Sequence, residues 1–158
     1  MADARLGTAR QRVTVSDMAT TRQFTARLDT AVLERLERRA SRTGTNRSRL
    51  AERYIDEGSR MEDHPGIVFR DGDSGRRAAL AVGPDVWQVI GALRDQEVRG
   101  EEAVRAVADL ADLTVEQVRI AIRYCADHID EIDERIRQNQ EMADESEQRW
   151  RREQHVIA

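Results

Sequence analysis

The sequence predicts a mainly α protein, in which one N-terminal strand and two helices precede a small hairpin-plus-helices domain and a long C-terminal helix. Apolar residues recur every three or four positions over most of the chain, which is the spacing of amphipathic helices. Strand-like patterns are confined to three short runs, 22–28, 67–70 and 77–82. Aromatic residues form only 4% of the chain and charged residues 35%, so any core is thin and gains from oligomerisation or a partner.

Composition favours a soluble, cytoplasmic protein. Cys125 is the single cysteine, so no internal disulfide can form, which fits a reducing compartment. The longest unbroken apolar run covers the five residues 78–82, far short of the ~20 that span a bilayer. The first 17 residues carry scattered arginines and no apolar block, so they do not resemble a secretion signal.

Charge is distributed unevenly along the chain. All 26 basic residues are arginine, a side chain suited to phosphates and carboxylates. Residues 20–55 contain nine arginines and four acids, a net charge of +5, whereas residues 64–158 contain 13 arginines and 20 acids, a net charge of −7. Chance clustering would produce the same pattern, but a basic module joined to an acidic one favours two different kinds of partner.

The first patterned element is a strand over residues 22–28, which follows a flexible arm over residues 1–19. Its side chains alternate between two faces, with Phe24, Ala26 and Leu28 on the apolar one. The polar face carries Gln23, Thr25 and Arg27. A lone strand with one apolar face requires a pairing partner, and none follows nearby in the sequence.

Two helices follow the strand. Asp29 is a good N-cap for the first helix, and Gly44 ends it as a C-cap glycine would. Asn46 caps the second helix, which ends before the breaker at residues 63–66. The apolar stripe of the first helix consists of Val32, Leu33, Leu36 and Ala40. That of the second consists of Leu50, Ala51, Tyr54, Ile55 and Gly58.

Residues 20–62 resemble the ribbon-helix-helix family of transcriptional repressors, of the Arc, MetJ and CopG type. The resemblance rests on the QFTARL strand, the TGTNRS turn and the apolar spacing of both helices. It implies an intertwined homodimer whose two strands form an antiparallel ribbon in the major groove of a DNA operator. The implied dimer core is Phe24, Ala26, Leu28, Leu33, Leu36, Leu50, Tyr54 and Ile55.

DNA contacts follow from this arrangement. Gln23, Thr25 and Arg27 would read bases, because a two-stranded ribbon fits the major groove and arginine grips guanine bidentately. The start of the second helix would bind phosphate through free amides and its dipole, with Asn46, Arg47 and Ser48 as the binding residues. The alternative is that the polar strand face is merely solvated.

Residues 63–138 predict a hairpin-plus-helices domain. The strand-like runs 67–70 and 77–82 flank a DGDSG turn, Pro84 opens a helix to about residue 95, and another helix covers about 101–111. Thr114 and Gln117 form a capping box for the last helix, and the sequence leaves open whether this helix is continuous through His128. Its apolar seam has the narrow spacing of a coiled coil: Val118, Ile122, Cys125, Ile129, Ile132 and Ile136.

This second half resembles that of actinobacterial ribbon-helix-helix antitoxins encoded beside PIN-domain ribonuclease toxins, on the residues HPGIVFRDGDSGRR and GPDVWQVI. Residues 104–125 also have the shape of a helix-turn-helix. Acids between 127 and 134 disfavour DNA there, so protein binding and a second DNA contact both stay open. The charged tail, 139–158, is expected to be disordered when free. It would either stay solvated or bind a toxin through Trp150, Arg151 and Arg152.

No pattern in the sequence indicates catalysis, a metal or a cofactor. Asp71 and Asp73 begin like a calcium loop, but Val82 stands where a bidentate acid is needed. Cys125 and His128 lack a second ligand pair. We therefore expect an operator-binding homodimer, nucleoid-associated when bound, that is the antitoxin of a toxin–antitoxin pair. The alternatives are a stand-alone regulator with an oligomerising C-terminal domain and a protein-only adaptor.

Overall fold

The structure is a computed structural model that describes residues 24–72 and 75–157. This part of the chain is mainly helical, as predicted, with one two-stranded antiparallel sheet. The elements in chain order are α1 (Thr30–Thr43), α2 (Arg47–Asp63), β1 (Ile67–Gly72), β2 (Gly75–Leu80), α3 (Val86–Arg94), α4 (Glu101–Leu110), α5 (Val115–Asp127) and α6 (Ile129–Ile157).

The ends of α1 and α2 lie where the sequence predicts them. The Asp29 carboxylate accepts a hydrogen bond from the Ala31 amide at 2.8 Å, which satisfies one of the free amides of the first turn. Gly44 ends α1 in the left-handed conformation, with φ of 62°, where glycine carries no Cβ penalty. Asn46 caps α2 by accepting from the Ser48 amide at 2.7 Å. These confirmed caps fix the turn between the two helices.

The segment before α1 belongs to neither helix nor sheet in this single copy. Residues 24–29 have no assigned secondary structure, and Asp29 has extended dihedrals of −58° and 142°. The predicted strand over 22–28 has no ladder partner among the described residues, so it stays a prediction. Gln23 and the predicted arm over residues 1–19 lie outside the described residues.

The predicted hairpin is confirmed. β1 and β2 pair antiparallel in a register that runs from Ile67 opposite Leu80 to Gly72 opposite Gly75. Gly75 has a φ of +95°, which glycine adopts without strain at the turn. Ile67, Ala78 and Leu80 share one face of the hairpin and are buried in the core, so the sheet packs on the helices of the second half through this face.

The core lies in the second half of the chain. The hairpin and helices α3 to α6 surround it, and Tyr124 is its largest fully buried side chain. The predicted Thr114–Gln117 capping box at the start of α5 is confirmed, with Gln117 N–H donating to Thr114 Oγ1 at 3.1 Å. The other buried members of the core are Ile67, Ala78, Leu80, Val86, Val89, Ile90, Val104, Val107, Ala108, Val118, Ala121, Cys125 and Ile132.

One prediction about helix bounds is wrong, and one question that the sequence leaves open is answered. Pro84 lies before α3 rather than in its first turn, because Asp85 is the N-cap and its backbone N–H donates to Gln88 Oε1 at 3.0 Å. The last helix is not continuous through His128: this residue, at φ −131° and ψ 42°, separates α5 from α6. Ile129 therefore leaves the predicted seam and is 51% exposed.

The predicted disorder of the tail is likewise contradicted. α6 continues to Ile157, and side chains 140–155 along it are all exposed. The segment is rich in strong helix formers, and pairs such as Arg151 with Glu147 at 2.6 Å add support four residues apart. The C-terminal segment is thus a helix that lies outside the core.

Candidate subunit and nucleic-acid interface

The first two helices leave an apolar face uncovered. Phe24 is 79% exposed and Ile55 is 58% exposed, although both are large apolar side chains. Together with neighbouring residues of α1 and α2, Ile55 borders a groove of about 560 Å³. The groove is lined by Leu28, Val32, Arg35, Leu36, Arg38, Arg39, Arg42, Ala51, Tyr54 and Ile55. Isolated exposed apolar residues are common, but a contiguous patch rimmed by charge indicates a binding surface.

Most of the predicted dimer core lies on or beside this face. Leu33 and Leu36 are half-buried, and Ala26 is exposed. Leu50 of α2 is different, because it is fully buried within its own chain. Ala40, which belongs to the predicted apolar stripe of α1, is also buried. One copy therefore buries very little apolar surface of its own in this region.

Two of the predicted base-reading side chains are described. Thr25 and Arg27 are both exposed, and within the described residues Arg27 forms no ion pair. Gln23, the third predicted reader, lies outside the described part of the chain. The guanidinium of Arg27 is thus available to a ligand, and it belongs to the segment 20–55, which has a net charge of +5.

At the start of α2 the predicted phosphate-binding residues are exposed but partly engaged. The Asn46 side chain is used in capping, since its Oδ1 accepts from the Ser48 amide. Arg47 Nη1 lies 2.6 Å from Glu37 Oε1, and both side chains are about half exposed. An exposed pair of this kind contributes little stability and can exchange for a phosphate. The structure brings Asn46, Arg47 and Ser48 together in one turn.

A second arginine-rich region, which the sequence analysis missed, connects α2 to the hairpin. Glu57 of α2 is only 8% exposed and accepts two hydrogen bonds from Arg76 of β2. Hydrogen bonding to Glu57 raises the pKa of Arg76. Glu57 follows Arg53 by four residues, so the sequence alone predicts an exposed ion pair on the surface of α2 rather than a buried acid.

Asp85 is the other buried acid among the described residues. Its carboxylate accepts from Arg70 Nε at 3.1 Å and also from Arg77 Nε. A buried carboxylate without such partners would be strongly unfavourable. The two arginines lie on opposite strands of the hairpin, so Asp85 ties the sheet to the start of α3.

A ring cluster joins the end of α2 to the break between α5 and α6. The Tyr124 ring lies 4.5 Å from His128 and 5.1 Å from His64 between centroids. Arg60 of α2 donates to the Tyr124 hydroxyl at 3.1 Å and pairs with Glu131 of α6 at 2.5 Å. Burial raises the pKa of Tyr124 and lowers the pKa of His128. The N-terminal helices are therefore fixed to the C-terminal domain.

The helix-turn-helix-shaped segment forms part of the packed domain. Arg119 pairs with Glu101 at 2.8 Å, and Arg123 pairs with Glu116 at 2.7 Å. The Gln117 amide donates to the Val82 carbonyl at 2.6 Å. Of these side chains, Gln117 contacts the backbone of its own domain, whereas the ion pairs of Arg119 and Arg123 are as exposed as that of Arg47 and leave both arginines accessible.

The predicted partner-binding residues of the tail lie on α6. Trp150 is 59% exposed, and Arg151 and Arg152 are also exposed. Arg151 pairs with Glu147 of its own helix. Nothing among the described residues covers this end of the helix.

None of the helices in residues 24–72 and 75–157 combines the length and the apolar character that a membrane span requires. No known family model, curated protein or solved structure matches the chain.

Proposed function

We propose that this chain is a homodimeric, sequence-specific DNA-binding repressor and that it serves as the antitoxin of a type II toxin–antitoxin pair. The observation that supports it most is the uncovered apolar face around Tyr54 and Ile55 beside exposed, arginine-rich surface. The resemblance of residues 20–62 to ribbon-helix-helix repressors implies how the two copies would fold together as a dimer.

The dimer follows from the energetics of the exposed face. Burying apolar surface contributes about 25 cal/mol per Å², so side chains such as Phe24 and Leu28 favour association. A second copy offers a matching apolar face, and an isologous contact of this kind is the commonest closed arrangement. It would also supply the missing partner strand for residues 22–28.

DNA is the proposed ligand because of the charge and shape of the paired segments. A two-stranded ribbon would present Thr25 and Arg27 from both copies to the major groove. Asn46, Arg47 and Ser48 would position the backbone phosphates at the start of α2. The rigid attachment of α2 to the C-terminal domain would then hold that domain at a fixed place beside the operator.

The antitoxin role assigns the acidic C-terminal half to a protein partner. A basic ribonuclease toxin of the PIN type would complement its charge, and complementary charge speeds encounter. The exposed Trp150, Arg151 and Arg152 are residue types that anchor interfaces. A second candidate is a stand-alone regulator with an oligomerising C-terminal domain. It is supported by α6, where Glu141 and Glu145 precede Arg149 and Arg152, so that two copies of the helix have complementary charges.

DNA binding is tested with duplex DNA from upstream of the chain's own gene. Arg27→Ala should weaken specific binding by about 1–3 kcal/mol, since it removes one bidentate contact. Arg105→Ala is the matched control, because Arg105 is exposed on α4 and no ion pair holds it within the described residues. Affinity should also fall steeply with salt. Equal binding by both variants would overturn the DNA-reading role of Arg27.

The antitoxin role is tested by co-expression with the product of the adjacent gene. The two proteins should co-purify, and removal of residues 139–158 should abolish the complex. If the full chain binds the upstream DNA but neither binds nor neutralises the adjacent product, the regulator is the correct candidate.

A further inference from the structure

The last part of α6 is a helix without a covering partner. Beyond Asn139 every side chain to His155 is exposed, and the hydrogen bonds in this stretch, such as Ser146 Oγ to the Met142 carbonyl at 2.8 Å, lie within the helix. At 1.5 Å per residue the exposed part is about 24 Å long. An isolated helix of this length is marginal in water, so a second surface would stabilise it.

One side of this helix carries its apolar residues. Met142, Ser146 and Trp150 follow one another at intervals of four, and Ala143 lies beside them. Met142 is 46% exposed and Trp150 is 59% exposed. We call these four residues the α6 ridge. Small residues at its centre and larger ones at its ends allow a second helix to approach closely.

The charges beside the ridge change sign along the helix. Glu141 and Glu145 precede the centre of the ridge, whereas Arg149 and Arg152 follow it. These four side chains lie on one flank of the ridge, since each is about one helical turn from the next. Within the described residues, Glu145, Arg149 and Arg152 form no ion pair.

We propose that the α6 ridge binds the same ridge of a second copy in an antiparallel arrangement, with the two-fold axis near Ser146 and Glu147. Reversing the direction of the second helix places Glu145 opposite Arg149 and Glu141 opposite Arg152, twice each. A parallel two-fold arrangement would instead bring this flank against the opposite flank of the second helix, so the four charges would not pair with one another. The sequence of the helix is therefore complementary to itself in one orientation.

The same reversal brings apolar residues together. Trp150 of one copy lies against Ala143 and Met142 of the other, while the two Ser146 residues meet at the axis. A two-fold axis through a small residue is the closest approach that two such helices can make. This contact lies at the opposite end of the sequence from the proposed DNA-binding dimer and does not depend on it. It uses Trp150 and Arg152, which are also proposed to bind the toxin, so the second copy and the toxin would compete for this end of α6.

Disulfide formation in the full chain tests the proposal. Ser146→Cys places a thiol at the axis, where two copies bring it within bonding distance. Gln148→Cys is the matched control, because two residues along a helix turn the side chain about 200° to the opposite face. Both variants retain the buried Cys125.

Under mild oxidation and without DNA, Ser146→Cys should form covalent dimers at least about tenfold faster than Gln148→Cys. Adding Arg149→Glu to Ser146→Cys should slow the reaction at least about tenfold, and adding Glu145→Arg as well should restore it. Equal rates for Ser146→Cys and Gln148→Cys would overturn the proposal, as would failure of the second charge change to restore the reaction. Because DNA is absent, that result would leave the proposed repressor function standing.

Discussion

Glu57 on α2 and Arg76 on β2 form a two-point ion pair that joins the two halves of the chain. Arg76 Nε lies 2.5 Å from Glu57 Oε1, and Arg76 Nη2 lies 2.7 Å from Glu57 Oε2. Arg76 also donates to the Phe69 carbonyl at 3.0 Å, so the guanidinium is held in one orientation. The pair therefore sets where the C-terminal domain lies relative to the proposed DNA-binding helices.

Loss of this pair should destabilise the fold. Glu57→Ala removes the carboxylate and leaves the half-buried Arg76 guanidinium without it, which should lower the free energy of unfolding by about 2 kcal/mol. The measurement is urea unfolding near neutral pH. Glu34→Ala is the control, because Glu34 pairs with Arg38 while both are exposed, and it should change stability by less than about 0.5 kcal/mol. Similar losses in both variants would contradict this role.

Acidification should destabilise the ring cluster through His128. Burial lowers the pKa of His128, and the charge of Arg60 and the ring of His64 act in the same direction, while Glu131 and Asp127 oppose them. The unfolded chain therefore takes up this proton at a higher pH than the folded chain. The contribution of His128 to the free energy of unfolding is fully present above the ordinary histidine pKa of about 6.5. It falls as the pH drops below that value.

The pH effect is measured as the midpoint of thermal unfolding between about pH 7.5 and about pH 5.5. His128→Asn should make the midpoint less sensitive to pH in this range. His155→Asn is the control, since His155 is exposed on α6 and its replacement should leave the pH dependence as in the wild type. Equal pH dependence in the wild type and His128→Asn would contradict the role of His128.

Cys125 should react slowly in the folded protein. Burial raises the pKa of its thiol, and Arg94 only partly offsets this effect. Both the low thiolate fraction and the lack of access reduce attack on a disulfide reagent, so the native rate should be at least about 100-fold below that of the urea-unfolded chain. The readout is the release of the reagent's chromophore near pH 8. A native rate close to the unfolded one would show that α5 is not packed as described.

The exposed face of α2 should control association. Ile55→Asp places a charge in the apolar groove and should weaken the N-terminal dimer by at least about tenfold, since it opposes burial. Met61→Asp is the matched control, because Met61 is exposed on the same helix and does not line the groove. Both variants also carry Trp150→Glu, which removes the proposed α6 contact. Sedimentation equilibrium then measures the dissociation constant of the N-terminal dimer in each. No difference between the two would argue against this face as the interface.

Much of the fold could be predicted from local signals in the sequence. Asp29, Gly44, Asn46 and Thr114 act on backbone groups within a few residues, so their caps could be predicted from the residue types alone. The hairpin was predictable for the same reason. The break at His128 was not, because the residue is neither glycine nor proline and the apolar spacing continues across it.

Interactions between distant residues account for what the sequence analysis missed. Glu57 and Arg76 are 19 residues apart, and Arg60 and Glu131 are 71 apart. From the sequence alone, charged side chains at these positions are expected to be exposed to solvent. Only the packing of α2 on the second half of the chain shows that Glu57 is buried. The tail is poor in apolar residues, which predicts disorder, but it is rich in strong helix formers, and this propensity explains its helix.

The central claim is that two copies of this chain pair through residues 22–28. Nuclear magnetic resonance on a mixture of differently isotope-labelled copies tests it most directly, since filtered spectra report only contacts between copies. The account predicts backbone contacts between residues 22–28 of one copy and the same residues of the other, in the alternating pattern of an antiparallel ladder. Filtered spectra without any contact in this segment, at a concentration where sedimentation finds the chain dimeric, would contradict it.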